Sequence, residues 1–140
     1  MSKVAVVFWS GTGNTGTMAQ AVSEGAKSAG ADVTLLGASE FGKDKVAEFD
    51  GIAFGCPAMG AEVLEEVEFD PMFTDVENSL SGKKIALFGS YGWGDGQWMR
   101  DWEDRCKADG INLVTDSVMA NDAPNDDALE ECKALGRAIA

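Results

Sequence analysis

Histidine is missing from all 140 residues. The commonest general base and the commonest zinc ligand are therefore absent. Cysteine is scarce: Cys56, Cys106 and Cys132 are widely spaced, odd in number and without a C-x-x-C pair. That excludes a disulfide framework and favours reduced thiols in a cytoplasmic protein. Long apolar runs are lacking, and none approaches the ~20 residues of a membrane span. No signal peptide is expected, because Ser2-Lys3 leads straight into a strand-like run. Positive charge is short too, with 11 Lys and Arg against 24 Asp and Glu, a net charge of −13. Such a chain repels nucleic acid and anionic membranes.

Hydrophobic residues make up 45% and charged residues 25%, as in soluble globular proteins. The length suits one domain over residues 1–140. From Val46 to Gly82 there is no Lys or Arg but there are nine carboxylates, five of them Glu62, Glu65, Glu66, Glu68 and Asp70. This run reads either as a solvated face or as a docking patch for basic partners.

Strand and helix patterns alternate. Strands are expected over Val4–Trp9, Asp32–Leu36, Gly51–Gly55, Lys84–Gly89 and Leu113–Met119. The first, third and fourth are near-continuous apolar runs, the mark of parallel strands covered on both faces. Met18, Val22 and Ala26 recur at helical spacing and Gly30 closes that segment. Further helices are expected from about Asp70 to Leu80, over Gln97–Ala108 and over Asp126–Ile139, with a short one inside Ser39–Phe49. The fold class is α/β: a doubly wound five-stranded parallel sheet, order 2-1-3-4-5, in a three-layer sandwich.

Three short loops follow buried strands: Ser10-Gly11-Thr12-Gly13-Asn14-Thr15, Pro57-Ala58-Met59-Gly60-Ala61-Glu62 and Gly89-Ser90-Tyr91-Gly92-Trp93-Gly94. In an open parallel sheet, ligands bind outside the carboxyl ends of the strands, where strand order reverses. The first loop and Gly16 match G-x-G-x-x-G, yet no acid ends the second strand to hold a ribose, so a dinucleotide is not expected. No Lys follows the glycines, so the P-loop pattern fails as well. Ser10, Thr12, Asn14, Thr15 and Thr17 instead offer side-chain donors at a helix start, which suits a terminal phosphate. Met59 beside Gly60, and Trp93 between Gly92 and Gly94, suit the two faces of a flat ring. Trp98 and Trp102, at helical spacing, read as packing residues, and Cys56 as a small buried one.

Taken in order, these three loops resemble those of flavodoxins of the short-chain type, and the resemblance covers nearly the whole chain. It implies tightly but non-covalently bound FMN and a one-electron carrier with oxidised, semiquinone and hydroquinone states, not an enzyme. It implies a cytoplasmic monomer that shuttles electrons between a reductase and a low-potential acceptor. It also implies that Met59 covers the inner ring face and Trp93 the outer. Glu62 would accept from ring N3–H, and backbone groups near Ser90–Gly92 would meet the pyrimidine edge. Pro57 departs from members carrying a hydroxyl there, Ala61 adds no polar handle, and Asn121 is a further candidate for the ribityl chain.

In Met59-Gly60-Ala61-Glu62, glycine at the first central position suits a type II′ turn. Rotation of the Gly60–Ala61 peptide would then bring the Gly60 carbonyl to flavin N5–H as the neutral semiquinone forms. Nearby carboxylates, Glu62 and Glu65 among them, would oppose the second electron, one charge ~12 Å away contributing on the order of 1 kcal/mol. Two other readings are an FMN-dependent NAD(P)H:quinone reductase and a flavin-free receiver-like module. The first needs a second substrate pocket, and the second needs acids where Ser10-Gly11 and Cys56-Pro57 stand.

Overall fold

The computed structural model describes residues 2–11, 13–60, 62–92 and 94–140. Five parallel strands form one sheet in the order β2-β1-β3-β4-β5. They are β1 (Lys3–Phe8), β2 (Asp32–Gly37), β3 (Gly51–Gly55), β4 (Lys84–Tyr91) and β5 (Val118–Asn121). The helices are α1 (Asn14–Ser28), α2 (Lys43–Val46), α3 (Phe69–Val76), α4 (Gln97–Ala108) and α5 (Asp126–Ile139). Single 3-10 turns cover Ala38–Glu40 and Glu77–Ser79.

The strand pleat splits the apolar runs between two cores, because successive side chains point to opposite faces. Ala5, Val7, Ile52, Phe54, Ile85 and Leu87 face one way, under α3 and α4. Val4, Val6, Ala53, Ala86 and Phe88 face the other, under α1 and α5. The α3/α4 side is aromatic. Phe54 meets Phe73 edge-on at 5.2 Å between ring centroids, and Phe69 meets Trp102 at 5.4 Å, the favoured geometry for such pairs. Trp98, Trp102 and Cys106 all lie buried on that face of α4, as the helical spacing predicts.

β3, α4 and α5 have the expected bounds, but β5 does not. The expected strand began at Leu113, whereas the ladder touches Leu113 only as a single bridge to Ile85 and resumes at Val118 opposite Phe88. Three steps along β4 are thus matched by five along the neighbouring segment. Two surplus residues are extruded, and the ladder breaks as at a bulge. α3 also starts one residue earlier than expected and ends at Val76, passing into a 3-10 turn. The stretch expected to hold one short helix contains a 3-10 turn and the four-residue α2.

Candidate functional site

The three loops converge at the carboxyl ends of β1, β3 and β4, beside the point where strand order reverses. Cys56 N donates to the Phe88 carbonyl at 3.1 Å and Ala58 N to the Ser90 carbonyl at 3.0 Å, which ties the second loop to the third. Trp98 Nε1 donates to the Cys56 carbonyl at 3.1 Å, pinning the root of the second loop to α4. The Thr15 and Ser90 hydroxyls lie 3.0 Å apart and buried, linking the first loop to the third. A cleft of about 140 Å³ remains between them, lined by Asn14, Pro57, Ala58, Ser90, Tyr91, Gly92 and Asp122.

The first loop leaves a helix end open. α1 starts after Gly13, whose φ of 96° is left-handed, with no side-chain cap and no acid in its first turn. By contrast, α5 is capped by Asn125, whose side chain accepts from Ala128 N, and carries Asp126 and Asp127 in its first turn. First-turn amides have no intrahelical acceptors; in α1 those of Asn14 and Thr15 are among them. Ser10 Oγ accepts from the amides of Gly13 and Gly16, both at 3.1 Å, and its own O–H remains a donor. Thr17 Oγ1 bonds back to the Gly13 carbonyl at 3.0 Å, so that hydroxyl serves its helix rather than the loop. Thr12, expected among the donors, lies outside the described residues, as do Ala61 and Trp93.

The second loop closes as a turn, with Glu62 N donating to the Met59 carbonyl at 2.8 Å. Met59 and Pro57 are half-buried and Gly60 is exposed. The type II′ expectation is corrected here. That turn needs a left-handed φ at its first central residue, and Gly60 has none, nor would a Cβ there meet anything. The left-handed residue is Glu62 instead, at φ 53°. Its Oε1 is buried without a hydrogen-bond partner. Beyond it, Glu62, Val63, Leu64, Trp98, Asp101 and Trp102 border a second cleft of about 160 Å³.

Glu65 differs from its acidic neighbours. Its side chain is buried, and its two carboxylate oxygens accept from the amides of Val67, Glu68 and Phe69 at 2.7 to 2.8 Å. Burial pushes its pKa up, but the three amides outweigh that and hold it below its ordinary 4.5. Glu65 caps the start of α3, so it is an internal anchor and not part of an exposed acidic face. Its own amide donates to Cys56 Sγ at 3.3 Å. The Cys56 thiol is pushed up to about 12, mainly by burial; it packs rather than reacts.

On the third loop, Tyr91 packs against Trp98 at 5.4 Å between centroids. Asn121 Nδ2 donates to the Tyr91 carbonyl at 3.3 Å, and Asp122 N to the same oxygen at 2.7 Å. Asp122, unforeseen from the sequence, is left-handed at φ 56°. Its signal was an Asp just past a strand, a residue that tolerates this conformation. Among the described residues, the two non-glycine positions with positive φ both border these clefts. Such backbone strain clusters at ligand clamps.

The flavodoxin family model matches residues 6–136. A flavodoxin from Clostridium beijerinckii is 44% identical over 135 residues, covering 96% of this chain and 97% of the relative. A flavodoxin from Megasphaera elsdenii is 46% identical over 137 residues, covering 98% of each. The solution structure of the two-electron reduced Megasphaera elsdenii flavodoxin superposes with a TM-score of 0.89, covering 97% of both chains. The order 2-1-3-4-5, the three loops at the carboxyl edge and this full-length match agree: the chain belongs to the flavodoxin family, electron carriers that bind FMN and are not enzymes.

Proposed function

We propose that the three loops hold FMN, with its phosphate on the first loop and its ring between the second and third. Two observations support the fit. The α1 start carries no acid, and Ser10 Oγ takes only the amides of Gly13 and Gly16, so those of Asn14 and Thr15 can serve a dianion. The Glu62 Oε1 atom is buried without a partner, which is costly unless a ligand donor completes it; this atom carries the reading. FMN supplies the one-electron chemistry. The residues Ser10, Gly11, Thr12, Gly13, Asn14 and Thr15 bind and orient the phosphate. Of Pro57, Ala58, Met59, Gly60, Ala61 and Glu62, Met59 covers one ring face and Glu62 meets the ring edge; of Ser90, Tyr91, Gly92 and Trp93, Trp93 covers the other face and the backbone of the rest meets the pyrimidine edge.

Thr15 also ties the first loop to the third, because its hydroxyl shares a hydrogen bond with that of Ser90. Glu62 accepts a hydrogen bond from the ring N3–H. The Gly60–Ala61 peptide lies inside a turn whose closing bond, Glu62 N to the Met59 carbonyl, survives rotation of that peptide. Two turn forms differ by just this rotation, and one of them needs a left-handed second central residue. That second central residue is Ala61, so the form that needs it left-handed is disfavoured by about 1–2 kcal/mol.

The partners are basic-surfaced redox proteins, a reductase and a low-potential acceptor, met by a cytoplasmic monomer. The exposed Glu66 and Glu68 support this by complementarity. Titrating the apoprotein with FMN tests the reading. Stoichiometric uptake and two separate one-electron steps in a stepwise dithionite reduction are expected. A chain that takes up no FMN would refute it.

A further inference from the structure

Glu62 leans on the third loop at one point. A Cβ built on Gly94 would stand 2.6 Å from the Glu62 carboxyl carbon and 3.2 Å from Oε2, with Oε1 nearer still. Gly94 is solvent-exposed, so no core packing calls for bare backbone there. We propose that Gly94 is a positioning residue for the flavin ring: its missing side chain is the space that the Glu62 carboxylate occupies. This rests on FMN being the ligand and Glu62 its N3–H acceptor.

The geometry explains how a flexible glutamate keeps a buried, unpartnered oxygen. Backbone at 94 shields Oε1 from water while leaving it free to accept. With a Cβ present, the carboxylate must turn outward, where water satisfies it. The apoprotein then loses little, because an exposed glutamate is well solvated. The loss falls on ligand binding, since the ring donor enters without its charged acceptor. One neighbour also couples the two ring contacts, for Gly94 directly follows Trp93.

Gly94 also has a left-handed φ of +88°, so any L-residue there is strained regardless of Glu62. A double-mutant cycle separates the two effects. Asparagine tolerates this backbone best and carries the same Cβ. FMN dissociation constants are measured for the wild-type chain, Gly94→Asn, Glu62→Ala and the double variant. Apoprotein melting midpoints are followed in parallel.

Gly94→Asn should weaken FMN binding roughly tenfold beside Glu62 and less than about threefold beside Glu62→Ala. Its effect on the apoprotein midpoint should be the same in both backgrounds. Equal losses of affinity in the two backgrounds would assign the glycine to loop strain alone and overturn the proposal. An unchanged affinity beside Glu62 would overturn it as well. A wild-type chain that binds no FMN would sink the FMN reading itself, and this proposal with it.

Discussion

Glu65 shows how much a single side chain decides here. Five acids crowd the stretch from Glu62 to Asp70, and nothing in their spacing says which one turns inward. Tertiary packing decides it: Glu65 follows the buried Leu64 and reaches three amides at the start of α3. The one available hint was its place four residues ahead of Phe69, where helix-start amides need acceptors. Because its native pKa is lowered, Glu65 stabilises the fold above its unfolded value, and that contribution disappears as pH falls through the native one. Glu65→Gln should cost about 2–3 kcal/mol at pH 7, since charge-assisted bonds are replaced by weaker ones. Urea titrations should then show a smaller difference from wild type below pH 4.5, the carboxyl's ordinary value; a pH-independent difference would contradict this. Glu62, its neighbour in sequence, is the opposite case. Its proposed role rests on a resemblance, whereas its left-handed backbone and its unpartnered oxygen are not written in the spacing of the acids, because both depend on how the loop folds.

Whole elements were easier to read than single roles. β3 is five apolar or glycine residues bounded by turns, and α4 and α5 show clear stripes, so their limits follow from period alone. β5 escaped because its apolar residues, Leu113, Val114 and Val118, do not record where hydrogen bonding is interrupted. The pairing of α1 with α5 depends on glycine in a way periodicity cannot reveal. A Cβ on Gly136 would press on the Val22 carbonyl and lie 2.8 Å from Ala26 N, and one on Gly25 would press on the backbone of Lys133. The helices meet at backbone contact on that face. Gly136→Ala should force them apart and cost about 3 kcal/mol, the upper range for overpacking. A melting midpoint within error of wild type would mean the contact is softer than drawn. Since the first loop runs directly into α1, the proposed phosphate site predicts that FMN affinity falls with the same substitution.

The charge of the entire molecule, −13, is less uniform than its composition implies. Arg105 engages Asp70 and Glu77, each at 2.9 Å, while its guanidinium lies 5.0 Å from the centre of the Phe73 ring. Its hydrogen bond holds Glu77 below the ordinary carboxylate range. With Glu65 turned inward as well, the free acids beside the second loop reduce, among the described residues, to Glu66, Glu68 and the half-buried Glu62, with Val67 82% exposed among them. Replacing Glu66 and Glu68 by glutamine should slow electron transfer to a basic haem protein about threefold at low salt, and the difference should vanish at high salt. Stopped-flow rates across ionic strength check this; an equal effect at every salt concentration would point to contact rather than steering.

All three candidate loops lie at the carboxyl edge of the sheet, and Ser2 and Ala140 lie at the other. Lys3 opens β1, and the Ala140 carbonyl accepts from Lys84 Nζ at the opening of β4. A second protein, an affinity handle or an electrode linker spliced beside Ser2 or Ala140 would therefore hang from the side away from those loops. Fusions to this carrier in either order should keep the reduction rate of the free protein.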